Sequence, residues 1–230
     1  MGDEKAELDL LRRRVINVVG HELRTPITTL RGLAELLGTT EGDAQATAAL
    51  HDAVRRAARR AESLVDDLLV SAGVSTALPV SDPVATDVVE AAQAAWAELV
   101  DVSADLDLEV DVPDGLAVLA HRGGLRRVLL ALFDNAVRHG TAPVELSATV
   151  QGDAVRVSVC DAGPGIPAAE RSLALEPFFR GEQAVTTSAG IGLGLALALA
   201  LVEHDGGTLT IEEGSGGGAE VVVTLPIAPT

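Results

Sequence analysis

The chain has 230 residues, 47% of them apolar, with 34 acidic and 17 basic side chains and a formal net charge of −17. That length suits one large domain or two small ones. The charge excludes the basic footprint needed to bind free nucleic acid and disfavours docking on an anionic membrane surface. A single cysteine, Cys160, rules out an intramolecular disulfide framework or a cysteine zinc cluster and fits a reducing compartment.

Charge is unevenly spread. Residues 1–78 carry 12 acidic and 10 basic side chains, whereas residues 79–230 carry 22 and 7. The shift falls in a small, polar, proline-containing stretch between Ser71 and Pro83, as linkers do. The expected organisation is a helical hairpin over 1–73, a linker over 74–83 and a second domain over 84–230. The N-terminus has no apolar signal core. The longest apolar run, Gly190 to Val202, falls short of the roughly 20 residues a membrane-spanning helix needs.

The first region predicts two long helices. Ile16, Val19, Leu23, Pro26, Leu30, Leu33 and Leu37 alternate at steps of three and four, a heptad seam. Leu8, Leu11 and Val15 join it upstream through an extra four-residue step, a stutter. After a turn at Gly38–Gly42 a second seam runs through Leu50, Val54, Ala57, Ala61, Leu64 and Leu68. A short connection makes the helices antiparallel neighbours. Two helices cover little of each other's apolar stripe, so a homodimeric four-helix bundle is expected. On this register His21 falls at the outermost position. Pro26 lies deep within the helical pattern, where a proline costs about 3 kcal/mol and kinks the helix.

The second region predicts a helix from Asp87 to Ser103 carrying Trp96, then alternation over 106–112, then a helix from Gly123 to His139. Two alternating runs, 144–150 and 155–160, flank the turn signal Gly152-Asp153 as a hairpin. Residues 162–189 read as irregular, 191–204 as a helix, and 208–213 and 220–225 as final strands. This is an α+β pattern: one mixed sheet with helices on one face, an α/β sandwich following the helical hairpin.

Four motifs carry chemistry. His21-Glu-Leu-Arg-Thr-Pro26 places an imidazole, nucleophilic near neutral pH, beside a carboxylate and one turn before a threonine hydroxyl. Leu132-Phe-Asp-Asn135-Ala-Val-Arg138-His139 closes a helix. Asp161-Ala-Gly163-Pro-Gly165-Ile follows a strand and, taken alone, could be a mere turn. Gly190-Ile-Gly192-Leu-Gly194-Leu-Ala196 opens a helix, where backbone amides favour phosphate. A dinucleotide fingerprint fits poorly there: no strand precedes the glycines and the third falls one place early, despite Glu212 about 20 residues on. No Gly-Lys-Ser/Thr follows either, which excludes a P-loop.

The first motif resembles the phosphoacceptor box of sensor histidine kinases of two-component systems, departing at Gly20, where a serine is more usual. The other three occur in the order of the gyrase/histidine-kinase ATPase superfamily, with Glu176-Pro-Phe178-Phe179-Arg180-Gly181 resembling its phenylalanine box. The resemblance implies ATP and Mg²⁺ as cofactors and His21 as the phosphoacceptor. Glu22 would assist the imidazole, and Thr25 would position water to dephosphorylate a partner. It implies Asn135 as the Mg²⁺ ligand, Arg138 for phosphate, His139 along the adenine and Asp161 for the adenine amino group. Gly163, Gly165, Gly190, Gly192 and Gly194 would let backbone approach the nucleotide, and Phe179 and Arg180 would anchor a lid and reach the γ-phosphate. A second asparagine usual in the family is replaced here by Ala131.

The function implied is autophosphorylation on His21 and transfer to an aspartate of a cognate response regulator. The expected setting is a cytoplasmic homodimer, on its own or as the cytoplasmic part of a membrane-anchored sensor. The residues leave open a nucleotide-dependent dimeric switch that phosphorylates nothing in itself, or a docking scaffold.

Overall fold

The structure, a computed structural model, describes residues 20, 23–38, 44–71, 81–100, 107–181 and 192–229. The chain divides into two compact units, Met1–Leu69 and Val70–Thr230.

In the first unit, helix α1 covers residues 23–37 and helix α2 spans Ala44–Ser71. Along α1, Leu23, Pro26, Leu30, Leu33 and Leu37 are buried or half-buried, while Arg24, Thr25, Ile27, Thr28 and Thr29 face solvent. Helical periodicity creates this: residues three and four apart share a face, and the apolar ones turn inward. Pro26 stays inside α1 rather than ending it, and the hydroxyl of Thr29 donates to the carbonyl of Thr25 at 3.0 Å. In α2 the same rhythm half-buries Leu50, Val54, Ala57 and Ala61 and exposes His51, Asp52, Arg55 and Arg56.

Among the described residues, the second unit has seven strands and three α-helices. They are β1 (Val84–Asp87), α3 (Val88–Val100), β2 (Leu108–Asp111), β3 (Ala117–Ala120), α4 (Gly124–His139), β4 (Val144–Gln151), β5 (Ala154–Cys160), α5 (Gly194–His204), β6 (Thr208–Glu213) and β7 (Ala219–Pro226). Five strands form a sheet in the order β2-β4-β5-β7-β6. β2 runs parallel to β4 and the other pairs are antiparallel, so the sheet is mixed as expected. Alternation on β5 sorts its faces: Val155, Val157 and Val159 are buried with Leu129, Leu132, Phe133 and Leu201 in one core. Trp96 of α3 meets Phe133 of α4 edge-on, ring centroids 5.3 Å apart.

The opposite face of the sheet is polar. Ser147 and Ser158 share a hydroxyl hydrogen bond of 2.9 Å. Glu212 and Glu220 are direct neighbours on β6 and β7, a like-charge pair. Arg156 reaches both, at 3.3 and 2.9 Å, and offsets the repulsion.

Two elements differ from the sequence expectation. β1 and β3 pair antiparallel as a separate ribbon, Val84 against Ala120 through Asp87 against Ala117. Neither four-residue run alternates enough to read as a strand. The last helix begins at Gly194 rather than Ile191, because Gly192 has φ +72°, outside the right-handed helical region.

Candidate active site

The site grows from the ends of three elements. The first is the last turn of α4. Its inner stripe of Leu125, Val128, Leu129, Leu132, Phe133 and Ala136 is buried in the core. That orientation leaves Asn135 half-buried at the margin and Arg138 and His139 exposed. Asp134 holds the Arg138 guanidinium, with Nε 2.7 Å from both carboxylate oxygens. Such a pair, one helical turn apart, fixes the direction of the arginine more than it stabilises the fold. Partial burial, then the positive charges of Arg138 and Arg180, push the His139 pKa down against the opposing pull of Asp134 and Asp161. The neutral ring is therefore favoured, a flat surface without a charge to desolvate.

The second is the end of β5, where Asp161 is 7% exposed. Its Oδ1 accepts the N–H of Gly163 at 2.8 Å and that of Ala219 at 3.4 Å. Its own N–H donates to the Ala219 carbonyl at 3.0 Å, tying the loop to β7. Burial pushes the carboxyl pKa up, although those two N–H groups and His139 pull it down. Backbone crowds this carboxylate closely: a Cβ on Gly140 would stand 2.5 Å from the Asp161 Cβ, and one on Gly163 2.5 Å from the Gly140 Cα. Any side chain at either position would displace the acid.

The third is the start of α5. Its N-terminus has no side-chain cap and no acidic residue in the first turn. Unsatisfied amides and the positive end of the helix dipole favour an anion there. Gly192 joins this start to the phenylalanine motif: the Phe178 N–H donates to the Gly192 carbonyl at 2.8 Å. A Cβ on Gly192 would fall 2.4 Å from the Phe179 carbonyl oxygen. Phe178 itself holds φ 68°, a strained value for a non-glycine residue. Phe178, Phe179 and Arg180 are half-buried. Gly194 opens the helix against Ala131 of α4, where an added Cβ would lie 3.9 Å from the Ala131 Cβ.

Asn135, Arg138, His139, Asp161, Gly163 and Arg180 therefore gather around the C-terminal end of α4. Gly165 continues the Asp161 loop with φ +72°, and Gly192, Gly194 and Phe179 form the adjoining wall. A buried acceptor, a neutral ring, two guanidinium groups and a helix N-terminus can together receive a purine carrying an anionic tail. Thr25 is exposed on α1. His21, Glu22 and Gly190 lie outside the described residues.

Comparison with known proteins settles the family. Residues 11–72 match the His Kinase A (phospho-acceptor) domain, and residues 120–229 match the histidine kinase-, DNA gyrase B- and HSP90-like ATPase. The chain belongs to the sensor histidine kinases. The sensor-type histidine kinase PrrB of Mycobacterium tuberculosis is 34% identical over 91% of the chain and 46% of its own length. The Escherichia coli sensor protein KdpD is 31% identical over 96% of the chain and 25% of its own length. The chain thus spans half or less of the length of these curated relatives. Among solved structures, the ATP-binding domain of M. tuberculosis PrrB aligns with TM-score 0.54 and 29% identity, over 65% of this chain and all of its own. Full-length ShkA, solved in complex with AMPPNP, aligns with TM-score 0.65 and 27% identity over 95% of this chain and 46% of its own.

Three contributors to this site escape sequence reasoning. Asp134 precedes the asparagine of its motif by one residue and reads as surface charge, yet it aims Arg138. Gly140 reads as an ordinary helix stop. Ala219 has no chemical side chain at all, and its backbone reaches Asp161 across 58 residues of sequence. Only a register for β5 and β7 could have exposed it. Among the described residues, no helix is long and apolar enough to cross a membrane, and no group of three or more His, Cys, Asp or Glu side chains could hold a metal.

Proposed function

We propose that this chain binds Mg·ATP in its second unit, transfers the γ-phosphoryl group to His21, and passes it to an aspartate of a cognate response regulator. The observation that carries the reading is Asp161: a buried carboxylate, held by two backbone N–H groups and approached by neutral His139, is built to accept a hydrogen bond from a flat heterocycle bearing an amino group. The ATPase-family match over residues 120–229 supports ATP as that ligand, as does the AMPPNP complex of ShkA.

In this reading His139 lies along the adenine and Gly163 and Gly165 admit the ring. Arg138, Arg180 and the amides beginning with Gly190, Gly192 and Gly194 meet the phosphates, while Phe179 anchors the covering segment. Asn135 offers Mg²⁺ one oxygen, which suits an ion that keeps several waters and takes its other ligands from phosphate. An ion held by Asn135 would supply positive charge to offset the negative charge that develops in transfer. Glu22 holds the His21 tautomer or takes its proton. Thr25 orients water that hydrolyses the phosphoaspartate of the response regulator, releasing phosphate. The half-buried seams of α1 and α2 support a homodimeric four-helix bundle. The reading places this segment in the cytoplasm, with its domains meeting at a 74–83 linker.

Incubation with γ-³²P-ATP tests the proposal. The expected result is label on this chain that is acid-labile and base-stable, as phosphohistidine is, and absent from His21→Ala. Label that persists in His21→Ala, or that appears only on a partner protein, overturns it.

A further inference from the structure

At the far end of α4 and α5 from the proposed nucleotide site lies a second polar cluster. His121, which leads from β3 into α4, and Asp205, which caps the C-terminus of α5, are 8% and 9% exposed. Asp205 Oδ1 accepts the backbone N–H of His121 at 3.1 Å and pairs with its Nδ1. The His204 ring stacks on His121 with centroids 4.3 Å apart. α5 closes in a left-handed turn at Gly206, φ +76°, that folds Asp205 back over α4.

This cluster completes both helices at once. α4 starts at Gly124, its N-cap Gly123 offering no side-chain cap, and has no acidic residue in its first turn. Asp205 supplies the missing negative charge from another helix: a Cβ on Gly124 would lie 3.3 Å from its Oδ2. The C-terminus of α5 in turn receives His204 in its last turn and the His121 ring beside it.

We propose that His121 and Asp205 are positioning residues for the nucleotide site. They pin the distant ends of two antiparallel helices whose other ends carry the site. α4 runs about 24 Å from this pin to His139, and α5 about 16 Å to Gly194. At the site end the two helices meet through small residues, Ala131 against Gly194, so large side chains set their spacing only nearer the pin. A shift at the pin therefore moves Asn135 and Arg138 relative to the α5 N-terminus. Misplacement on the ångström scale is costly in phosphoryl transfer, which relies on positioning. The inference rests on the ATP reading above, so ATP uptake by the wild-type chain is measured first.

The decisive variant is Gly124→Ala in the full chain. Its methyl group pushes on Asp205 by tenths of an ångström, while alanine favours the helix. The KM for ATP should rise about threefold with Tm unchanged or higher. His121→Ala and Asp205→Ala should raise KM about tenfold. His121→Asn, whose amide nitrogen can occupy the place of Nδ1, should stay within about twofold of wild type. Val155→Ala, a buried change at the end of β5 away from Asp161, should lower Tm and leave KM alone. An unchanged KM in Gly124→Ala, or an equal rise in KM in Val155→Ala, overturns the proposal even if the alanine variants at 121 and 205 fail to fold. A wild-type chain that takes up no ATP overturns the nucleotide reading itself.

Discussion

Asp161→Asn separates a ligand-binding carboxylate from a structural one. The remaining amide oxygen can still accept the N–H groups of Gly163 and Ala219, so the local fold is retained. The other position becomes an NH₂ that faces the proposed adenine amino group. A charge-assisted hydrogen bond is lost and a buried donor is left unsatisfied, which should cost about 2–3 kcal/mol of binding. That is a roughly 30- to 150-fold weaker ATP affinity. Stability should move the other way. The Asp161 pKa is raised above its ordinary 3.8, chiefly by burial. The folded chain therefore holds this proton more tightly than the unfolded chain. Asp161 stabilises most below its ordinary pKa, and that contribution is lost as pH rises through the raised value. At pH 7 the ionised, buried carboxylate is a liability that asparagine removes. Equilibrium dialysis with labelled ATP and thermal melts at pH 7 should show weakened binding with Tm equal to or above wild type. Affinity within threefold of wild type, or a parallel loss of Tm and binding, would refute the reasoning.

The same raised pKa predicts that ATP affinity falls on acidification at a pH above Asp161's ordinary 3.8; an affinity-pH profile of wild type beside Asp161→Asn, which should lack that step, checks it. If Asn135 holds Mg²⁺ as proposed, Asn135→Asp adds a negative charge beside the ion and the phosphates, so tighter metal binding with slower autophosphorylation is expected in Mg²⁺ titrations. Gly192→Ala must hold a left-handed backbone, costing about 1–2 kcal/mol, with its methyl 2.4 Å from the Phe179 carbonyl; it should lower Tm and raise the KM for ATP together. Thr25→Ala should reduce dephosphorylation of the response regulator while sparing autophosphorylation, since in the proposed reading His21 itself attacks the γ-phosphoryl group and needs no ordered water; parallel assays that fall together would instead assign Thr25 to backbone support ahead of Pro26.

What the sequence disclosed follows the range of the forces involved. The helical faces of α1 and α2 were legible because their pattern repeats every three or four residues, and the inward residues Leu23, Pro26, Leu30, Leu33 and Leu37 are those the seam names. Strands β4 to β7 were legible because alternation writes burial directly into sequence. β1 and β3 were not: each is four residues long, and each is a strand only because the other lies beside it. The start of α5 was misjudged by three residues because a run of apolar residues does not show which glycine takes a positive φ.

The site divides in the same way. Side chains that meet a ligand carry their chemistry in their identity, and short motifs name them. What makes those side chains competent is supplied by groups with no such signature. Asp161 is an effective acceptor because Ala219 and Gly163 give it backbone N–H groups and because Gly140 has no side chain to exclude it. Arg138 is aimed by Asp134, a residue indistinguishable in sequence from ordinary surface charge. His121 and Asp205 stand 84 residues apart and carry no mutual spacing signal. Each of these contacts is created by the sheet register or by the packing of α4 on α5, so it exists only once the whole unit has folded. Motifs therefore name the candidate residues of this site, while the tuning of burial, proton affinity and helix position resides in tertiary contacts.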